Sequence, residues 1–444
     1  MAETAPPKDN PRTIFGWCMY DWANSAYITT VAVGLLPRYF ADVVVPPGGA
    51  LIGRTQYAAD TLWAFVVGAA TFIAFVSTPV LGAIADFSAT KKRFLLSFAY
   101  IGSLFTLLLY FNRSGDTART LLFFLVAQFS YIAANVFYDA FLPHIASEGR
   151  MDWISGKGYS YGYVGGGLQF ALSVALVAGH EILGLSAEQA VRIGIVSAAL
   201  WWAGFTLFTA RYLTEASSPH VLPEPCRAWP RLLAYAAIGL ARTLRTARRV
   251  GRFRQLLLFL VAFMLYDDGI QTVINMATIY GTVELKLSAT HLMLTLLLIQ
   301  IIAAFGALLF SRLARRIGAK QAVMVTLVLW SGVVIYAYFV RTAAGFFAMG
   351  AVVGLVLGGS QSLSRSLYGS MIPEEASAEF YGFYTVFSKF SAMWGPWGFA
   401  IIKQMTGSSR LAILSLIALF LGGLVLLYFV DEEKAREVRR AGAF

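Results

Sequence analysis

Two cysteines, Cys18 and Cys226, are too few to build a disulfide framework in a chain of 444 residues. The four histidines, at 144, 180, 220 and 291, stand apart and towards loops, and neither an HExxH motif nor a Cys or His cluster offers a metal site. Charge is scarce as well, 13% of residues against roughly 25% in a soluble domain. Acidic residues are the scarcer sign, 24 Asp and Glu against 35 Lys and Arg, for a formal net charge of +11. One stretch, "GGALIGRT" (Gly48–Thr55), approaches a phosphate-binding loop, but Arg54 stands where a lysine belongs and no strand precedes it. These absences argue against metal hydrolysis and an ATPase engine. Uphill work by this chain has to borrow an ion gradient or run down a solute's own.

What is abundant is apolar surface: 58% of residues are hydrophobic and the mean hydropathy is +0.66. No single soluble core hides that much, so the chain reads as an integral membrane protein. A helix needs roughly 20 apolar residues to cross the hydrocarbon layer. Twelve runs meet that length, centred on 14–40, 60–84, 94–111, 119–142, 158–180, 190–210, 255–280, 291–311, 321–340, 343–364, 379–402 and 411–430. They are too long and continuous for barrel strands. The first run is too long and too polar for a cleaved signal peptide.

Twelve spans put both termini on one side of the membrane. Of the 35 basic residues, 24 fall in segments on that side, 9 in the opposite loops, and Arg365 and Lys389 inside runs. The positive-inside rule makes the terminal side cytoplasmic. The expected organisation is a cytoplasmic tail 1–13, a six-helix bundle 14–211, a basic linker 212–253, a second six-helix bundle 254–430 and a cytoplasmic tail 431–444. The short loops and Ala/Arg-rich composition look bacterial, which places the protein in the inner (plasma) membrane.

Membrane topology accounts for the positive charge without nucleic acid. In segment 231–254, Arg242, Arg245, Arg248 and Arg252 recur every three or four residues. That spacing suggests an amphipathic helix on the anionic inner leaflet, with lipid as its partner.

The chain is also written twice. "YDWA" at Tyr20–Ala23 recurs as "YDDG" at Tyr266–Gly269, and "YDAFLP" at Tyr138–Pro143 as "YGSMIP" at Tyr368–Pro373. "YGY" at Tyr161–Tyr163 recurs as "YGF" at Tyr381–Phe383, and "IADFSATKK" at 84–92 lines up with "LARRIGAKQ" at 313–321. The four matches keep their order at equivalent runs. A six-plus-six repeat is a recurrent plan for secondary transporters, with the solute cavity between the halves.

That plan and the short basic loop after the second run resemble the major facilitator superfamily. "GAIADFSATKKR" looks like its signature loop, although Phe87 stands where a basic residue is usual and Ala89 where a glycine is usual. "YDWANSAY", "NVFYDAFLPHIA", "SGKGYSYGYVGGG" and "QSLSRSLYGSMIP" are similar to the autophagy-related vacuolar amino-acid effluxers and their bacterial relatives. The resemblance covers about Gly16 to Gly398. It implies a secondary transporter working by alternating access on amino acids or similar solutes, with the signature loop switching between conformations.

A carboxylate at mid-membrane costs about 2.5–3.5 kcal/mol on insertion scales and has to face a partner or water. Asp21 and Asn24 share a face of the first run. They are expected either to bind a solute amine or carry a proton, or to be satisfied by neighbouring helices as fold determinants. Asp267, Gln271 and Asn275 form a stripe at i, i+4 and i+8 on the seventh run, with Asp268 about 100° around. Two adjacent carboxylates suit a proton-coupling site, while helix–helix hydrogen bonding is the plainer alternative. Lys389 needs a counter-charge from Asp21, Asp267 or Asp268, or receives a solute carboxylate. Asn135 and Gln169 are cavity candidates or packing glue.

Asp139 and Arg365, near the inner ends of the fourth and tenth runs, read as a gate that pairs across the cytoplasmic mouth, with substrate contact as the alternative. Asp86, Lys91, Lys92 and Arg93 are either the switch the resemblance implies or a solvated charge run. The expected protein is therefore an all-α membrane protein, not an enzyme. It is expected to act as a monomer without a cofactor, on a small solute and with a proton as candidate coupling ion. A transporter of a drug, sugar or metabolite and a non-transporting receptor remain open alternatives.

Overall fold

The computed structural model describes residues 7–215, 230–249, 253–391 and 394–440. Ten of its helices are long and apolar enough to cross a membrane. Five lie in the first half: α2 (Ala59–Ser88), α3 (Lys91–Leu108), α4 (Thr117–Ala140), α5 (Met151–Ala178) and α6 (Ala187–Tyr212). A linker helix, α7 (Arg231–Arg249), precedes α8 (Arg254–Val283), α9 (Ala289–Ile317), α10 (Ala319–Phe339) and α11 (Ala343–Met371).

The first run is helical but irregular. Its α1 (Pro11–Ala26) starts at Asn10, whose side chain accepts from the N–H groups of Arg12 and Thr13, with Pro11 in the first turn where no N–H is needed. Beyond Ala26 the chain widens into π-helix over Tyr27–Leu35 and again over Phe40–Val44. Pro37 lies between the two wide turns and has no N–H to give the ladder. The eleventh run is described as α12 (Ser377–Ser391) and α13 (Trp394–Thr406), on either side of residues 392–393, which lie outside the described residues. The last bends between α14 (Ser409–Ser415) and α15 (Ile417–Tyr428), and α16 (Glu432–Arg440) closes the chain.

Three details differ from the sequence reading. Ala50–Ile52 and Thr55–Tyr57 pair as an antiparallel hairpin, so the fold is not wholly helical. Gly53 occupies the first turn position at φ +66°, as a two-residue hairpin turn favours. Helix α5 starts seven residues before the expected 158, and α11 runs seven past 364. Both polar extensions stay helical because they bury each other, with Arg365 donating to the hydroxyl of Ser155 at 3.0 Å. Finally, one face of α7 is docked on the protein, which the sequence reading does not foresee: Gly239 sits directly on Ile84 and Val80 of α2. Cys226, His220 and Arg252 are outside the described residues.

Helices α1–α6 pack on one another, as do α8–α15, and the two groups meet along α2 with α12 and along α5 with α9 and α11. Lys8 and Arg439, near the two ends of the described chain, lie on one face, here called the terminal face, where Glu374 pairs with both, at 2.5 and 2.9 Å. At that face Ala89 ends α2 in the left-handed region, φ +52°. A β-carbon there costs about 1–2 kcal/mol. Ala89→Gly is expected to raise the melting temperature of the detergent-solubilised protein, offset partly by the added freedom of the unfolded chain. A fall in melting temperature would show that the Ala89 methyl makes packing worth more than the strain.

Candidate functional site

Between the two helix groups lies a cavity of about 450 Å³. The first group lines it with Asp21 and Ser25 of α1, Thr29 of the π segment, Gln128, Tyr131, Asn135 and Asp139 of α4, and Tyr159 and Tyr163 of α5. The second supplies Asp267, Gln271 and Asn275 of α8, Gln300 of α9, Gln361, Ser364 and Arg365 of α11, and Tyr384, Ser388 and Lys389 of α12. The widened backbone beyond Ala26 keeps the polar side chains of α1 and the π segment on the cavity side while its other face packs. Gln169 binds Thr30 at the start of that packed face, and also Ser173 and Ser197.

The floor of the cavity is built around Arg365, 2% exposed. Its Nη1 donates to Asp139 at 3.0 Å and lies 3.6 Å from Asp21. Its Nε and Nη2 donate to the hydroxyl and carbonyl of Ser155 at 3.0 and 2.9 Å. The guanidinium stacks over Tyr159 at 4.1 Å, Trp17 at 4.8 Å and Tyr138 at 5.2 Å. Tyr138 in turn donates to Asp21 at 2.9 Å. A buried guanidinium is tolerable only with its donors occupied, and here two carboxylates, a serine and three rings share the task. Arg365 belongs to one helix group and both carboxylates to the other, so the cluster ties the groups together.

The second pole sits on the opposite wall. Asp267 accepts from Ser388 at 2.6 Å and from Gln271 at 3.4 Å. Lys389 lines the same cavity, and among the described residues it makes no ion pair within 4 Å. One ammonium in the wall is therefore available to an anionic group.

Below the floor the groups are locked. Asp86 and Lys91 are buried and pair at 3.0 Å. Asp86 also accepts from the backbone N–H groups of Ala378 and Glu379 at 3.2 and 2.8 Å, capping α12 from the other helix group. Lys91 reaches His144 at 2.8 Å and Ser377 at 3.2 Å. Ser366 donates to Asp152 at 2.6 Å. Two bonds cross higher up, Tyr163 to Gln361 at 2.6 Å and Gln300 to Thr29 at 3.0 Å. Every other hydrogen bond or ion pair between the groups, among the described residues, lies from Arg365 to the terminal face. The cavity is shut on that face and reaches the opposite half past Thr29, Val33 and Asn275, the last two exposed.

Set against the sequence reading, Asp21, Asp267, Gln271, Asn275, Lys389, Asn135, Asp139 and Arg365 meet in one cavity. Asn24, Gln169 and Asp268 do not line it. Asn24 donates to Asn135 at 2.7 Å, holding α1 on α4. Asp268 points away from the stripe and accepts from the N–H of Gly395 at 2.9 Å. Asp21 meets Arg365 rather than Lys389, because those two side chains stand on opposite walls. Where α2 ends and α3 begins, Asp86 and Lys91 are buried, Lys92 is half-buried with its N–H held by Glu215, and Arg93 is exposed. The charge run is thus solvated only at its end. Gln128, Gln300 and Gln361 were missed, although an amide inside an apolar run is the signal that singled out Asn135.

Two helix groups around a charged cavity, joined along such seams, define a membrane transporter of the major facilitator type. The fold is shared with the human organic anion transporter MFSD10 (TETRAN), at a TM-score of 0.70 and 16% identity over 94% of this chain and all of that one. It is shared too with FucP in its outward conformation, at 0.69 and 11% over 94% and 98%. The family described as "Vacuole effluxer Atg22 like" matches residues 9–439, and the chain belongs to it. A full-length relative is the uncharacterized MFS-type transporter YxiO of Bacillus subtilis, 34% identical over 428 residues, 95% of each chain. Autophagy-related protein 22-1 of Aspergillus niger is 29% identical over 300 residues, 64% of this chain. The chain spans about half the length of such fungal relatives.

Proposed function

We propose that the protein moves a small zwitterionic solute, an amino acid or a close analogue, by alternating access of twelve spans in two six-helix bundles. The observation that carries this is the separation of charge across one cavity. Lys389, which makes no ion pair within 4 Å among the described residues, receives a carboxylate, while Asp267 and Asp21 attract an amine. A single-charge solute would leave one pole facing water. Resemblance to vacuolar effluxers supports export. The excess of Lys and Arg on the terminal face supports a cytoplasmic orientation of both ends. A proton exchanged at Asp21 or Asp267 is the coupling ion most in keeping with a site rich in carboxylates.

The test is counterflow in proteoliposomes preloaded with unlabelled amino acids and given trace label outside. Exchange requires no gradient, so the coupling ion does not confound it. Transient accumulation with a subset of amino acids is the expected result, and flat traces across the panel reject the substrate class. Lys389→Ala is expected to abolish binding and Lys389→Arg to retain it, since both cations reach a carboxylate. Unchanged binding in both variants removes Lys389 from the site. A second reading, a sugar, draws support from the six amides that line the cavity, Gln128, Asn135, Gln271, Asn275, Gln300 and Gln361. Its marker is counterflow of a neutral sugar by both Lys389 variants.

A further inference from the structure

The linker helix α7 carries two faces with different occupants. One face is docked. Gly239 lies against Ile84 and Val80 of α2, and Tyr235 meets Phe87 edge-on at 6.2 Å between ring centroids. Arg242 covers the same ring at 6.0 Å and reaches to 3.9 Å from the buried carboxylate of Glu379. Phe87 belongs to α2 in the first helix group and Glu379 to α12 in the second. A single helix therefore lies across the seam that the Asp86 cap closes.

The other face has nothing on it among the described residues. Leu233, Leu240 and Leu244 are 58%, 51% and 49% exposed, and their spacing of seven and four residues aligns them along one side of α7. Arg245 and Arg248 stand exposed beside that stripe. The position of the stripe identifies its occupant. Helix α2 turns Phe72 and Val76 outwards, 66% and 56% exposed, on a row that continues at four-residue steps through Val80 to Ile84. That row is the lipid-facing side of a spanning helix, and α7 lies over its end. A leucine stripe where lipid-facing surface stops, flanked by exposed guanidinium groups, matches the boundary between acyl chains and anionic headgroups.

We propose that α7 binds anionic phospholipid through Leu233, Leu240, Leu244, Arg245 and Arg248, and that this binding holds the terminal face closed. Seating the leucines at the lipid boundary presses Tyr235 and Arg242 onto Phe87 and Glu379, and so favours the state in which Asp86 caps α12. The proposal concerns conformation and is independent of which solute is carried.

The experiment is a distance measurement between spin labels at Gly149 and Arg316, exposed positions on the terminal face of the two helix groups, in a Cys226→Ser background. Vesicles of phosphatidylcholine alone are compared with vesicles that also contain phosphatidylglycerol. The short-distance population is expected to gain up to roughly thirtyfold over the long one when phosphatidylglycerol is present, the scale of two arginines near an anionic surface. Replacing both arginines, R245Q with R248Q, is expected to remove the response, and R245K with R248K to keep it. Replacing Leu240 and Leu244 by asparagine is expected to weaken it. Identical distance distributions in the two lipids overturn the proposal, as does a full response from the paired glutamine variant. These side chains are exposed, so loss of fold does not mimic the outcome, and a retained short distance in phosphatidylcholine verifies it.

Discussion

Arg365→Gln is expected to abolish transport and to cost the closed state about 3–5 kcal/mol, the penalty for leaving buried charge without its partner. Two carboxylates, Asp139 at 3.0 Å and Asp21 at 3.6 Å, lose their cation together, and three aromatic rings lose the group they surround. Because Arg365 crosses from one helix group to the other, its loss also removes the tie at the cavity floor. At 1.4 kcal/mol per tenfold, even the low end shifts the balance between closed and open terminal faces by more than a hundredfold. Two measurements check this, counterflow and thermal melting. Adding Asp139→Asn to Arg365→Gln is expected to recover much of the melting temperature, since one orphan charge goes, without recovering transport. Full transport in the single variant would show that the cluster is only a packing device.

The second large effect is expected at Gly82, which no charge marks. A β-carbon on Gly82 would strike the carbonyl of Ala378 and come within 2.7 Å of the N–H nitrogen of Glu379. Both are backbone atoms in the first turn of α12, and neither can rotate aside as a side chain could. Gly82→Val therefore drives α2 from α12 and pulls Asp86 from the two N–H groups it caps. Overpacking of this kind costs about 1–3 kcal/mol, and here the cost falls on one conformation only. Transport is expected to drop roughly ten- to a hundredfold, with spin labels at Gly149 and Arg316 moving apart. Gly68→Val is the control: it lies on the same helix, exposed, with nothing within 4 Å of its added carbon. Equal effects of the two substitutions would mean that valine disturbs the helix rather than the seam.

Much of the site was legible because a bilayer makes polar residues informative. Asp21, Asp267 and Lys389 stood out in apolar runs for the same reason that they face a cavity: lipid would not tolerate them. The same rule overreached at Asn24, Gln169 and Asp268. A buried amide or carboxylate is satisfied equally well by water in a cavity or by a neighbouring helix, and sequence does not distinguish the two. Asp268 shows how fine the distinction is, since one step around α8 from Asp267 exchanges the cavity for the N–H of Gly395.

Pairing was harder to read than position. Arg365 and Asp139 were singled out as partners from their depth alone, whereas Ser155, Trp17 and Tyr159 around the same guanidinium carry no charge to draw attention. Asp86 belonged to a recognisable loop, yet nothing in its own segment announces that it caps a helix almost 300 residues later. Lys91 reads as part of a solvated basic run until His144 and Ser377 close over it.

Composition and run length by themselves determined that this chain crosses a membrane many times, because run length acts locally, residue by residue. They also determined which ionisable groups had to find shelter. Only the tertiary structure decided who shelters whom. The Arg365 cluster, the cap on α12 and the reach of Arg242 from α7 to Glu379 each depend on side chains from distant parts of the chain arriving at one point, within about 3–4 Å. Hydrogen bonds and ion pairs hold only at such short range and in the right direction, and no one-dimensional pattern records a distance between residues so far apart along the chain.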